Sequence, residues 1–552
     1  MQTSPVSGHM MDQPLLISSI LQFAARHYPA TEIVSRRVEA DAQREPFHRY
    51  TYRDCEARAR RVAHVLAGLG VTMGQRVATL AWNGYRHLEL YYAVSGSGAV
   101  LHTVNPRLHA EQIAYMLNHA EDQYLFFDLT FLPLVAAVAP HCPTVKGFVL
   151  MSDRAHMPQQ TAIPRLLCYE DLLTASGNDF AWPAFDETAA ASLCYTSGTT
   201  GNPKGVLYSH RSTVLHAYGA ATPNALNVSC RDTVLPVVPM FHVNAWGLPY
   251  AVLLAGAKLV LPGAALDGKS LYDLFEAEGV TLSAGVPTVW LALVNYALQN
   301  GLQFSTFRRT VIGGSACPPA LMDALIDQLD VDVVHAWGMT EMSPLGTAGY
   351  LQAHHLALPQ AQQRALVHKQ GHAIFGVDMK IVDDAGVELP WDGATYGHLH
   401  VKGPWIVRRY FRDEGGDILQ DGWFPTGDVA TIDAEGYMQI TDRSKDVIKS
   451  GGEWIGTIDL ENIAMAHPAV LQAACIGVSH PKWDERPLLL VVKRPGCDVT
   501  GAELLHFFEG KVARFWLPDD VAFLDALPTG ATGKIQKNKL REQFRHYRLP
   551  TE

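Results

Sequence analysis

The stretch YTSGTTGNPKGV (195–206) crowds hydroxyls and glycines together and closes on a single lysine. Gly198, Gly201 and Gly205 permit φ > 0 and let a bulky anion approach the main chain. Ser197, Thr199 and Thr200 add hydroxyl donors, and Lys204 adds a mobile positive charge. Together these form a concave nest of donors, the chemistry a polyphosphate requires. A plain surface turn would explain the glycines, but not their dense mixture with hydroxyls and Lys204. A Walker A loop ends in Gly-Lys-Ser/Thr; here Pro203 precedes Lys204 and Gly205 follows it, so the cradle is of another kind.

Four further stretches carry candidate chemistry. GGSACPP (313–319) follows an apolar run and offers bare backbone to a flat ligand. HAWGMTE (335–341) sets an indole, a hydroxyl and a carboxylate at the expected carboxyl end of a strand, where open α/β sheets bind ligands. GWFPTGD (422–428) ends in Asp428, suited to a pair of ribose hydroxyls. LPTGATGKIQK (527–537) presents Lys534 on a Gly-rich turn. Taken singly, Trp337 could be core, Glu341 a solvated charge and Lys534 a surface lysine.

These residues need elements to hold them. Apolar residues at helical spacing predict a helix over 53–69, closed by Gly70. VATLAW (77–82) reads as a buried strand, HLELYYAVSGSG as a helix and VLHTV (100–104) as the next strand. A second series, TVLPVV, KLVLP, TLSAG, RRTVIGG and VDVVHAW, spans about 232–335. Such alternation predicts mostly parallel sheets covered by helices. After about 376 come short strands and turns, and from about 446 the pattern returns to mixed α/β. The fold class expected is α/β, in three parts. A large domain of mostly parallel sheets carries a small β-rich subdomain, and a small mobile α+β domain follows. The expected limits are a loose extension at 1–13, a large domain at 14–441, a hinge at 442–446 and a small domain at 447–552.

With 552 residues, several subdomains are expected. A net charge of −11 without a basic stripe argues against nucleic acid as a partner. Eight cysteines without a C-x-x-C pair indicate neither a zinc site nor a disulfide framework, and point to a reducing compartment. The first residues have neither a basic nor an apolar region of a signal peptide. AVLLAGAKLVLP (251–262), broken by Lys258, is too short to span a membrane. No integral membrane association is expected, the cytoplasm is the expected compartment, and a homodimer is left open.

In order and spacing, the five motifs resemble the acyl-adenylate-forming superfamily, which includes acyl-CoA synthetases, peptide-synthetase adenylation domains and beetle luciferases. The likeness runs from about residue 14 to 542. It implies that 195–206 holds the β- and γ-phosphates of ATP through Thr196, Ser197, Gly198, Thr199, Thr200, Gly201 and Lys204. Gly314, Ser315 and Ala316 would line the adenine and acyl sites. Trp337 would stack on adenine, beside Gly338 and Met339. Thr340 would contact the α-phosphate, and Glu341 would hold Mg²⁺. Asp428 and Arg443 would bind the ribose, Lys445 would be the hinge and Lys534 the adenylation lysine. Lys449, Gly451, Gly452, Glu453 and Trp454 would complete the second site, where CoA enters as acceptor. The sequence departs from the usual pattern in four places: Asp442 stands for Gly, Thr457 for Pro, Trp337 for Tyr or Phe, and Thr529-Gly530 for Lys-Thr.

VVPMFHVNAWGLPY (237–250) bears on the acid. His242 and Trp246 are four apart, hence on one face if the segment is helical, although a core aromatic and a satisfied histidine would read the same. The stretch, like HPKWDERPLLLVV (480–492), resembles medium-chain fatty-acyl-CoA synthetases and methylthio-propanoate ligases. That likeness makes His242 the gate of an acyl tunnel lined by Val243, Trp246, Gly314 and Met339. The expected substrate is an apolar small-molecule carboxylic acid, best a medium-chain fatty acid. Short-chain, thioether and aromatic acids are alternatives. Rival readings are an ATP hydrolase or kinase, a luciferase-like oxygenase, and an acyl-adenylate sensor without turnover.

Overall fold

The computed structural model describes residues 8–39, 45–177, 179–196, 202–451, 453–530 and 534–551. Two large sheets dominate. The first has seven strands, in the order Leu166–Cys168, Gly147–Leu150, Tyr124–Phe127, Arg76–Leu80, Val100–Thr103, Ala190–Tyr195 and Gly205–Ser209. All neighbours are parallel except the last pair, which forms an antiparallel hairpin. Strands such as Tyr124–Phe127 and Val100–Thr103 are buried along their whole length, which is why they read as continuous apolar runs.

The second sheet has nine strands. Its interior, Asp332–Gly338, Arg309–Ile312, Leu282–Gly285, Thr233–Pro236, Lys258–Leu261 and Glu32–Arg36, is parallel. Antiparallel strands complete both edges. Helix Tyr85–Gly96 is buried on every side, as expected of an element packed between the two sheets. Its polar residues are satisfied there: Glu89 pairs with Arg58 at 2.6 Å and accepts from Tyr169 at 2.6 Å. The predicted helix at 53–69 is Tyr52–Gly68, opened by a Thr51–Asp54 capping box.

Beyond these sheets the texture changes where the sequence changes. Strands Asp378–Val382, Gly397–Lys402, Phe424–Ile432 and Met438–Arg443 form an antiparallel four-stranded sheet. The C-terminal part is smaller, built on the long antiparallel pair Val470–His480 and Asp484–Lys493. Ile448–Ser450, Glu453–Ile455 and Asp520–Phe523 extend it, and its core is separate. All eight cysteines are free. Among the described residues, no helix is long and apolar enough to cross a membrane.

Candidate active site

The opening motif begins and ends on a pair of antiparallel strands. Strands Ala190–Tyr195 and Gly205–Ser209 pair until Tyr195 faces Gly205. The Thr196 amide then donates to the Lys204 carbonyl at 2.9 Å, and the Lys204 amide to Thr196 Oγ1 at 3.2 Å. Ser197, Gly198, Thr199, Thr200 and Gly201 lie outside the described residues. Lys204 is exposed, with its Nζ 4.9 Å from the centre of the Tyr410 ring.

Three hydrogen bonds fix the polar wall next to this hairpin. Strand Asp332–Gly338 ends in Trp337 and Gly338, Met339 follows, and a single 3-10 turn then presents Thr340 and Glu341, each 8% exposed. Gly338 is required here, since a Cβ would lie 2.1 Å from the Pro344 carbonyl oxygen. Tyr208 donates to the Thr340 carbonyl at 2.6 Å. Tyr410 donates to Glu341 Oε1 at 2.8 Å. The Trp337 indole N–H donates to Asp428 Oδ2 at 2.9 Å, and Arg443 Nε pairs with Asp428 Oδ1 at 2.7 Å. Both oxygens of the nearly buried Asp428 are thus engaged.

The C-terminal lysine joins this cluster. The Gly530 amide donates to the Lys534 carbonyl at 2.7 Å, closing the turn that carries it. Lys534 is an exposed residue, yet the protein crowding its ammonium lowers its pKa to about 8. Desolvation is the main cause and Arg443 the second, against the attraction of Asp428 and Glu341. His242 lies within the same field: burial first, and Lys534 second, lower its pKa to about 4, so the imidazole is neutral near pH 7. Residues far apart in sequence therefore converge on one cleft.

The other wall departs from expectation. His242 and Trp246 do not share a face of a right-handed helix. Val243, Asn244, Ala245 and Trp246 have φ of 46°, 50°, 48° and 57°, and Gly247 follows at 76°. The Ala245 amide bonds to the His242 carbonyl and the Gly247 amide to that of Asn244. The segment is a left-handed turn with i→i+3 bonds, and four-residue spacing loses its meaning there. Such backbone costs about 1–2 kcal/mol per L-residue. Burial and Asn244 offset it: Asn244 Nδ2 donates to Ser192 Oγ at 2.9 Å, while Oδ1 accepts from Cys194 Sγ at 3.3 Å. The turn delivers the Trp246 indole against Gly313 and Gly314, where an added Cβ would meet the ring at 3.4 and 3.5 Å. Gly314 itself has a φ of 82°, and Ser315 and Ala316 continue from it before helix Pro319–Leu329.

Some expected residues stand elsewhere. Lys445 occupies the turn between Met438–Arg443 and Ile448–Ser450. Lys449 faces Trp454 across the hairpin formed by Ile448–Ser450 and Glu453–Ile455. The Trp454 ring packs 5.5 Å from that of His398, so the hairpin docks on the four-stranded sheet rather than on the Glu341–Lys534 cluster. Gly451 turns that hairpin with a φ of 60°; Gly452 lies outside the described residues, as does the side chain of Glu453. Sequence reasoning missed Tyr208, Tyr410 and Asn244. Gly247 behind Asn244, two residue types tolerant of φ > 0, was the available sign of the turn.

Residues 21–411 match the family model described as AMP-binding enzyme, and 459–534 match that of the AMP-binding enzyme C-terminal domain. A 3-methylmercaptopropionyl-CoA ligase of Ruegeria lacuscaerulensis is 55% identical, covering 98% of this chain and 99% of its own. A medium-chain-fatty-acid–CoA ligase of Ectopseudomonas oleovorans is 51% identical, covering 97% of each. Among solved structures, ATP-bound MatB from Rhodopseudomonas palustris superposes with a TM-score of 0.78 at 25% identity, over 95% of this chain and 99% of that one. An anthranilate CoA ligase in complex with anthranoyl-AMP shares the fold at a TM-score of 0.84 and 24% identity, over 97% and 98%.

Proposed function

The chain belongs to the AMP-binding enzyme family, and from that premise we propose that it is an ATP-dependent acid–CoA ligase. It joins a carboxylic acid to AMP with loss of pyrophosphate, then passes the acyl group to CoA. The observation that carries this reading is that Lys534, from the C-terminal part, feels the charges of Arg443, Asp428 and Glu341 of the large part, where Arg443 and Asp428 are themselves paired at 2.7 Å.

The first step needs no general base, because a carboxylic acid is ionised at neutral pH. Its oxygen attacks the α-phosphorus of ATP, and the bond to pyrophosphate breaks. The protein's task is to spread and neutralise phosphate charge. Lys204 and Lys534 would supply cations, and the Thr340 hydroxyl a donor, to the phosphates. Glu341 fits a magnesium ion: Tyr410 holds Oε1, and Oε2 has no partner among the described residues. Mg²⁺ bound there would neutralise phosphate oxygens and keep several waters, as a single-carboxylate site requires. Arg443 and Asp428 are set to receive a ribose and Trp337 a base. In the second step the CoA thiolate attacks the acyl carbonyl and AMP leaves.

On the acid side, Trp246 over Gly313–Gly314 with a neutral His242 makes an apolar, uncharged wall. This favours an apolar acid, a medium-chain fatty acid in the first place. The 55% identical relative supports a short thioether acid as the second reading. Eight free cysteines support a reducing compartment such as the cytoplasm. A panel of straight-chain, thioether and aromatic acids, scored by CoA-dependent AMP release, tests the proposal. AMP, pyrophosphate and a thioester are expected; ADP and phosphate as products would overturn it.

A further inference from the structure

Two departures from the usual family pattern, Asp442 and Thr457, meet in space. Asp442 lies in strand Met438–Arg443, before the turn that holds Lys445, whereas Thr457 opens helix Thr457–Met465, after it. Asp442 Oδ2 accepts from the Thr457 amide at 2.7 Å and from Thr457 Oγ1 at 2.6 Å. Asp442 is 1% exposed and Thr457 fully buried. The contact continues. Lys537, three residues after Lys534, donates to Thr457 Oγ1 and pairs with Glu461 Oε1 at 2.7 Å. Glu461 in turn accepts from the Cys475 amide at 2.8 Å.

The ends of this thread matter. Asp442 is paired in the sheet with Val429, next to Asp428. Lys537 belongs to the segment that presents Lys534. The bonds from Asp442 through Thr457 to Lys537 therefore tie the Asp428 strand to the Lys534 turn without passing through Lys445. A rotation about Lys445 moves Thr457 and Lys537 together but leaves Asp442 behind. It must break both bonds to Asp442, since bonds of 2.6 to 2.7 Å tolerate no displacement of several ångströms.

We propose that Asp442, Thr457 and Lys537 are positioning residues that form a buried latch, holding the C-terminal part against the Asp428 strand for the first half-reaction and opening for the second. The proposal rests on the two-step reading above. Asp442 thereby acts as an external cap, giving the first residue of the Thr457–Met465 helix a carboxylate from the other side of the hinge. The usual Pro at this position could donate neither bond, and the usual Gly at 442 could accept neither, so the two departures make sense only as a pair.

Thr457→Val removes the hydroxyl with little change of shape. It should slow acyl-adenylate formation about tenfold, while thioester formation from supplied acyl-adenylate and CoA holds steady or quickens. Thr457→Ser should restore the first step. Equal slowing of both steps, or an unchanged first step, would overturn the latch. Asp442→Asn, which keeps the shape and an acceptor oxygen, carries the same comparison should Thr457→Val fail to fold; a several-fold selective loss is then expected. Tryptic cleavage in the exposed turn around Lys445 needs no substrate and should rise several-fold in either variant. If the unaltered protein formed no AMP with any acid, the two-step reading would fall, and cleavage alone would decide whether the latch exists.

Discussion

The two walls of the cleft hold their working groups by different means. Around Glu341 the wall is held by a set of side-chain hydrogen bonds: Tyr208 to the Thr340 carbonyl, Tyr410 to Glu341, and Trp337 and Arg443 to Asp428. Around Trp246 it is backbone bent into a left-handed turn and anchored by one buried side chain, Asn244. The first arrangement suits charge, which needs donors and acceptors at fixed points. The second suits an apolar ligand, which needs a shaped surface, and strain there is tolerable because packing overdetermines it. Changes on the Glu341 side should therefore alter chemistry, and changes on the Trp246 side should alter which acid is taken.

Lys534→Ala gives the largest effect expected. Removing a charge from a transition state costs about 3–4 kcal/mol, roughly 10²–10³ in rate. Acyl-adenylate formation should fall by that factor, while supplied acyl-adenylate is still converted to thioester in single-turnover assays. Equal loss in both steps would erase the separation of roles.

Tyr410→Phe probes the same wall one bond further out. Losing a hydrogen bond to a carboxylate costs about 1.5–3 kcal/mol. Because Glu341 would lose its only protein donor among the described residues, the apparent Mg²⁺ requirement should rise together with the fall in kcat/KM. A magnesium titration unchanged from that of the unaltered protein would remove Glu341 as the metal group.

Trp246→Ala tests the other wall. The loss of one large apolar contact should lower kcat/KM for the acid by about 1–3 kcal/mol and shift chain-length preference, with KM for ATP little changed. If thermal stability fell while the acid profile stayed fixed, Trp246 would be core only.

The same division explains what could be read from the sequence. The strand-and-helix alternation was legible because buried parallel strands are apolar throughout, as Tyr124–Phe127 and Val100–Thr103 are. The polar cluster was legible too, since Lys534, Glu341 and Asp428 sit in short stretches whose residue types announce charge chemistry. The left-handed turn was not, because His242 and Trp246 keep the spacing of a right-handed helix and only tertiary packing selects the other hand. The Asp442–Thr457 contact was visible only as two separate oddities. The partners stand fifteen positions apart, with the turn around Lys445 between them, and nothing local to either position names the other.

The smallest effect expected is one of pH, and it separates the two half-reactions by the sign of a slope. The role proposed for Lys534 is that of a cation, and its surroundings lower its pKa to about 8, through desolvation first and Arg443 second. In the free enzyme the useful form is therefore present below pH 8 and is lost as pH rises through it. His242, already neutral with a pKa near 4, adds no change in this range. Since kcat/KM reports groups of the free enzyme, kcat/KM for ATP in acyl-adenylate formation should fall about tenfold between pH 7 and pH 9. Lys534→Arg, charged throughout, should flatten that limb even where its absolute rate is lower. Thioester formation from supplied acyl-adenylate should behave oppositely, because its nucleophile is a thiolate that becomes more abundant as pH rises. Falling limbs in both half-reactions would mean that Lys534 serves both, and the comparison between a charged adenylating pose and a separate thiol-accepting pose would not hold for this protein.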